Sequence, residues 1–548
     1  MSEKTHQGGP PTTFSMPMYA GWVPQCIRPW IYVLMAFCFQ FSNGMYLGAM
    51  NNIIGERGIM REDVLMCLYA TLTGMAFYFP LLFRMKFRFS NKLLLMTAAS
   101  VILVCNLLTM LPLPLPITWA LCVVCGMAKI QGTFECMSSI QLWMTPKRDF
   151  GVFFPLLHLV LLTSIEYSAY LAAWFAYEAH WQLMHWFIIA LMVGVLLVQM
   201  VFTHHFHAMP QIVPLRGIDW LGALLWIVFT LQMVYLLNYG DWLDWWNSST
   251  FRLLCGTSLL TLAVCLQRMW HHPQPFFEPA MWHYRYVVPV ILLIGVVEML
   301  FSSEHVIEMV YYEEVMHYAD HTYEWLNQWS LPGIWAGCLF SLGWLRLMRW
   351  NVYRLIALAL FVFALYAGGF YFLIDASISI DLLRIPIICR SFSYAVLCIA
   401  FMWCLHAIMS FEHFFQALSV FNVLHMLLGR LIGAALHALG LKYYVADGFA
   451  RYSQYVDSVG ISARHTDFSD LMQRLVEGLL AQAVKIEFGW TLLAALFLGM
   501  LMLLWDVPMV RHQIKHIPTW PSVGMGVWRK YQRGRRLHRL RKMRRVLV

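Results

Sequence analysis

Fourteen stretches of mostly apolar residues, each about twenty long, restrict this chain to one kind of fold. They lie near 30–52, 63–83, 93–112, 118–143, 151–177, 185–203, 217–238, 251–267, 286–311, 325–345, 355–374, 382–407, 411–438 and 487–506. About twenty helical residues, rising 1.5 Å each, cross a hydrocarbon layer of about 30 Å. Inside that layer every backbone N–H and C=O must be satisfied within the chain, and runs this long do so as helices. The expected fold class is an all-α polytopic membrane protein with fourteen transmembrane helices. Composition agrees, because only 12% of residues are charged against about a quarter in soluble proteins. A soluble enzyme or binding module is excluded.

The remaining charges report topology. With the N-terminus in the cytoplasm, the short loops on that side hold Arg84, Lys86, Arg88, Lys92, Lys147, Arg148, Arg216, Arg268, Arg285, Arg346, Arg349 and Arg354. The short loops and span ends opposite hold only Arg57, Arg61, Arg252 and Arg384. That asymmetry satisfies the positive-inside rule. An even number of spans returns the C-terminus to the cytoplasm, where residues 507–548 form a basic tail in a chain of net charge +9. A basic segment beside a membrane binds anionic headgroups, so the partner implied is the lipid bilayer and no nucleic acid. The thirteen cysteines sit mostly in apolar runs, without metal or disulfide spacing. Residues 1–29 carry no cleavable signal pattern and are expected to be a cytoplasmic segment. No nucleotide-binding GxxxxGK[ST] motif is present. Any energy for transport is therefore expected from an ion gradient, with no cofactor and no enzyme chemistry.

Polar side chains inside such helices are costly and usually face the protein interior or a partner. In the fourth span Ala128, Gln131, Gly132, Glu135, Ser138 and Ser139 share a helical face, and in the fifth Thr163, Glu166, Ala169, Tyr170 and Ala173 do so. A carboxylate in a low-dielectric cavity is suited to bind and release a proton. Glu135 and Glu166 are the first candidates for proton coupling, with Glu298 in span nine as a third. Lys129 lies about 240° round the helix from Glu135, and is expected to pair with a neighbouring helix or to snorkel. Asn51, Asn52 and Gln131 are candidate cavity residues. Arg390, His425 and Arg430 are candidate charge partners, and Glu298–Arg390 is a pairing the sequence allows. His317 and His321 are four apart beside Glu313, Glu314 and Asp320, a spacing that can share zinc. A solvated helix face is the plainer reading, and no metal site is expected.

Several segments together resemble the fourteen-span drug:proton antiporter branch of the major facilitator superfamily, the EmrB/QacA type. Ala128-Lys129-Ile130-Gln131-Gly132 stands where that family has Arg-x-x-Gln-Gly, and Ser168 to Ala173 where it has its Gly-Pro antiporter motif. His185-Trp186-Phe187, Pro214 to Gly222 (PLRGIDWLG), Phe276 to Pro279 with Tyr286, Arg390, and Asn422 to Gly433 (NVLHMLLGRLIG) are further matches. The span-one aspartate of the family is absent from YLGAMNNII, and FRMKFRFSNK lacks the Gly-x-x-x-Asp latch.

The resemblance implies a major facilitator fold: two six-helix bundles, 30–203 and 286–506, with two extra central spans and their linkers at 204–285. The segment 439–486 is expected to be a long periplasmic loop whose second half, Phe468 to Ile486, has apolar residues at helical spacing and forms a helix leading into the last span, and 304–324 a second outer segment. The resemblance further implies proton-coupled efflux of a lipophilic or amphipathic small molecule across a bacterial inner membrane. A periplasmic adaptor protein and an outer-membrane channel would be its partners in a tripartite pump. A proton-coupled importer of a nutrient or peptide is the nearest alternative. A membrane enzyme acting on lipid-linked substrates is the next.

Overall fold

The computed structural model describes residues 16–41, 45–145, 149–206, 215, 217–284, 286–348, 351–374, 378–453 and 468–504. The first fifteen residues, Lys147, Arg148 and the basic tail lie outside them. The described chain is helical, and twelve of its helices are long and apolar enough to cross a membrane. The protein is a multi-pass membrane protein.

The first half begins with α1 (Arg28–Gln40), α2 (Met45–Gly48) and α3 (Met50–Arg57). Next comes α4 (Arg61–Tyr78), continued through a 3-10 turn into α5 (Leu82–Arg88). It closes with α6 (Asn91–Thr109), α7 (Leu115–Met144), α8 (Phe150–Glu178) and α9 (Leu183–Phe202). A hairpin of α10 (Trp220–Asn238) and α11 (Ser249–His271) follows. The second half contains α12 (Val287–Phe301), α13 (Ile307–Val310), α14 (Asp320–Asn327), α15 (Ser330–Leu342) and α16 (Val352–Leu373). It ends with α17 (Ile380–Ile408), α18 (Phe411–Val423), α19 (Gly429–Ser453) and α20 (Phe468–Leu504). The chain starts at one membrane face, the near face, which holds Arg28. It reaches the opposite, far face at Arg57 and alternates from there.

Two of the fourteen expected spans, the first and the tenth, lie on no described helix long enough to cross a membrane. The first is divided among α1, α2 and α3, where Ala49, at φ −119° and ψ 19°, leaves the helical region between Gly48 and Met50. The tenth is divided between α14 and α15, and its last turns, Gly343–Met348, are π-helical. Hydropathy counts apolar residues and is blind to such changes of hydrogen-bond register. In the segment 439–486 the helix expected from Phe468 is present as the start of α20, residues 454–467 lie outside the described ones, and the first part continues α19 rather than forming loop. α19 runs on to Ser453 and α20 starts at Phe468, so both helices project past the apolar zone and pack on each other, with His437 Nδ1 2.8 Å from Glu487 and Leu479 lying over Gly448.

Packing follows the two halves. α7 lies against α1, α4 and α6 in the first, and α16 lies against α17 and α20 in the second. The halves meet along two seams. At one, α8 packs on α14, α15 and α17; at the other, α4 packs on α18. The α10–α11 hairpin stands beside the second seam, with α10 touching both α4 and α19. The hairpin is clamped at its near end. Asp219 caps α10 through the Gly222 amide (2.9 Å) and accepts from Arg268 of α11 at 2.6 and 2.8 Å. Burial alone would push the Asp219 carboxyl up, but these donors hold it below the ordinary carboxylate range.

Candidate functional site

Three buried charge clusters occupy the interior. The first lies within the first half. Glu135 on α7 accepts from Lys86 Nζ at 3.1 Å and from Asn91 Nδ2 at 2.6 Å. Lys86 also donates to Ser138 (2.6 Å), and the Tyr32 hydroxyl donates to Asn91 (2.8 Å). Lys86 was expected among exposed loop charges, yet α5 continues the second span and carries it inside, where its side chain is 7% exposed. Gln131 is buried one turn before Glu135, and neither atom of its amide has a partner among the described residues. Lys129 is 1% exposed, so it does not snorkel.

The second cluster lies within the second half. Glu298 on α12 is 2.5 Å from His425 Nδ1 and 3.1 Å from Arg430 Nε. Arg430 Nη1 reaches His305 Nε2 at 2.8 Å. The far side of the His425 ring contacts the Tyr394 hydroxyl at 3.3 Å and Cys398 Sγ at 3.5 Å. Residues five apart on an α-helix point about 140° away from each other. His425 and Arg430 nevertheless converge on one carboxylate, because Leu424–Leu428 is π-helical and its i→i+5 hydrogen bonding brings residues five apart onto one side. Close approach supplies the rest. A Cβ on Gly429 would stand 2.8 Å from Glu298 Cβ, and one on Gly433 would overlap the Met299 carbonyl, so this small-xxx-small pair seats α19 on α12.

The third cluster crosses between the halves. Glu166 Oε2 on α8 accepts from Asn327 Nδ2 and from Ser330 Oγ, each at 3.1 Å. The other side of Asn327, Oδ1, accepts from Arg390 Nη2 at 2.6 Å. Arg390 is paired in turn with Glu308 (2.5 Å) and Glu304 (3.0 Å), and the Tyr366 hydroxyl donates to Glu308 at 2.8 Å. The sequence-allowed Glu298–Arg390 pairing is therefore replaced by two separate clusters. Glu304 and Glu308 were read as part of an outer segment; they are instead the acids of the interior, with Glu308 fully buried. Their i, i+4 spacing was the available signal. Asn327, His305, Tyr366 and Asn91 carried none.

The other sequence candidates lie elsewhere. Asn51 and Asn52 are exposed on α3, with Asn52 near the Ala176 carbonyl at 3.5 Å. His317 pairs with Glu477 at 3.2 Å and His321 stacks on Tyr177, so the two histidines do not converge. Among the described residues no group of three His, Cys, Asp or Glu side chains is placed to hold a metal.

The seams differ by end. Toward the near face Phe83 and Phe134 meet Phe415, with Phe83 and Phe415 centroids 4.2 Å apart, and Phe150 stacks on His406 at 3.9 Å. The Asp149–Arg346 pair (3.2 Å) accompanies them. Toward the far face most contacts are polar: the Glu166 cluster, the Arg61–Glu313 pair at 3.5 Å, and the Trp335 indole donating to Thr163 at 3.0 Å, with the Tyr177–His321 stack beside them.

Two helical bundles facing each other across such seams, with charge buried between them, define a fold of the major facilitator type. Among solved structures, a bacterial homologue of the human drug peptide transporters is similar with a TM-score of 0.56 at 10% identity, over 90% of this chain and 100% of that one. A mutant of a peptide transporter designated POT, in complex with sulfate, gives 0.54 at 13% identity, over 89% and 96%. An auto-inhibited POT family peptide transporter gives 0.52 at 12%, over 90% and 99%. At these identities the likeness is one of fold. No family model and no curated protein matches the sequence.

Proposed function

We propose that the protein is a proton-coupled transporter of small amphipathic molecules, working by alternating access, with its near face in the cytoplasm of a bacterial inner membrane. The observation that carries this reading is the Glu166 cluster. One carboxylate of the first half receives both its donors from the second half, and one of them, Asn327, also accepts from an arginine shared by two further acids. Such a cluster can hold a proton or an intact bridge between halves, and exchange between these states is what coupling requires. Glu298 with His425 and Arg430 is a second proton-handling candidate, facing the seam beside α4 and α10. Glu135, clamped by Lys86 and Asn91, serves instead to hold α5, α6 and α7 together.

Export is the favoured direction. The aromatic near end suits a lipophilic substrate taken from the cytoplasmic side, and the resemblance to drug:proton antiporters points the same way. On this reading the fourteen-span topology is completed by the broken first and tenth segments. An adaptor protein and an outer-membrane channel would receive the substrate. The solved neighbours named as peptide transporters favour a second reading, proton-coupled import of a peptide-like nutrient. Susceptibility profiling of a deletion strain supplies a substrate, and inverted membrane vesicles then separate the readings. An exporter accumulates substrate when the lumen is acidified; an importer does not. Accumulation that ignores the pH gradient in the native protein would sink both.

A further inference from the structure

A groove of about 790 Å³ runs along the outside of the second half, between α16 and α20. Leu358, Phe361 and Leu365 wall it on one side, and Leu492 and Leu496 on the other. That volume is ordinary for a ligand site, and the lining is apolar except at one end. There stands Arg354, in the first turn of α16 at the near face, exposed. From residue 354 to residue 372 the helix rises about 27 Å, close to the thickness of the hydrocarbon layer. The slot is open midway because Gly368 has no side chain; a Cβ there would meet nothing nearer than the Leu492 methyls at 3.7 and 3.8 Å.

We propose that this groove binds an anionic glycerophospholipid, its phosphate on Arg354 and an acyl chain laid along Leu358 to Leu365. A cation at headgroup depth beside a dry, chain-wide slot complements that molecule and no neutral lipid equally well. The sequence beyond α20, the helix that forms the other wall, carries twelve Lys or Arg and no acid between 507 and 548, the same sign of charge. Arg346, the other described arginine near this end of α16, is occupied by Asp149 (3.2 Å), which leaves Arg354 to meet the phosphate. The lipid would lie behind Tyr366, which points the other way from α16 and donates to Glu308 at 2.8 Å.

Native mass spectrometry of the full chain in detergent, titrated with phosphatidylglycerol or phosphatidylcholine of matched chains, tests the site. The native protein should retain phosphatidylglycerol roughly fivefold better, the factor one basic residue contributes at an anionic surface. Arg354→Gln should lose most of that preference while keeping phosphatidylcholine retention. The basic tail is the same in both proteins, so it cannot account for the difference. Gly368→Leu should lower retention of both lipids, whereas Gly368→Ala, whose methyl fits, should not; that contrast separates filling the slot from misfolding. Free glycerol phosphate should not compete, because the acyl chain supplies much of the binding. The proposal is overturned if Arg354→Gln keeps the preference, if Gly368→Leu keeps both lipids, if glycerol phosphate displaces the lipid, or if the native chain appears as a dimer that Gly368→Leu abolishes, which would make a second copy the occupant.

Discussion

At the scale of single residues, the three acids singled out by sequence have three different environments, and substitution should separate them. Glu298 pairs with Arg430 and also meets His425. Glu298→Gln leaves the buried arginine without this anion, an error that costs about 3–5 kcal/mol, so the variant should show a markedly lower thermal midpoint in detergent. Glu166 has only neutral donors, Asn327 and Ser330, and a glutamine can accept from the same two. Glu166→Gln should therefore fold with a nearly unchanged midpoint but exchange substrate without responding to a pH gradient. A Glu166→Gln protein still driven by the gradient would remove that residue from the coupling. The carboxylates themselves were legible, because a lone acid in a long apolar run stands out. Their partners were not. Lys86 sat among charges that also fit a loop, and EHVIEMVYYEEV reads as polar surface although Glu304 and Glu308 both reach inward to Arg390.

Among elements, the arrangement most exposed to test is the seating of α19 on α12. Gly433→Leu would drive a side chain into the Met299 carbonyl and Ser302, and overpacking of this kind costs about 1–3 kcal/mol. It should also part Glu298 from Arg430 and stop transport. Gly295→Ala, on α12 with open space where its Cβ would stand, is the control and should be neutral or slightly stabilising. The α10–α11 hairpin offers a second test. Asp219→Asn keeps a cap on α10 but removes the anion that pairs with Arg268, weakening both bonds to it, and should raise protease sensitivity of the hairpin. Because the folded carboxyl is held below its ordinary pKa of about 3.9, the clamp is at full strength above that pH and is lost only as pH falls through the lower, folded value. Proteolysis that changes already between pH 7 and 5 would contradict this assignment. Apolar length marked the spans well, since twelve of the fourteen expected stretches lie on helices able to cross a membrane. The π turns at Gly343–Met348 and Leu424–Leu428 were invisible, because an altered hydrogen-bond register leaves no mark on composition.

For the whole molecule, the question is what holds the halves together at each end. Arg61 and Glu313 join them at the far face, and an exposed pair of this kind contributes at most about 1 kcal/mol. Arg61→Glu should shift the balance of conformations toward an open far end, seen as a longer inter-half distance by single-molecule fluorescence. Adding Glu313→Arg should shift it back, and failure of the double reversal to do so would exclude the pair as a contact between halves. The pairing of halves could be anticipated from the family resemblance alone. That rings predominate at one end and polar contacts at the other could not, because it depends on which helices face each other across the seams. This division has a thermal consequence. Parting Phe83, Phe134, Phe415 and Phe150 from their partners would wet aromatic surface and raise the heat capacity, while parting the Glu166 cluster would wet amides and carboxylates, which lowers it. Apolar contacts weaken on cooling, so temperature should act as a selector between the two ends, with cold favouring the conformation in which the ring-lined end stands open.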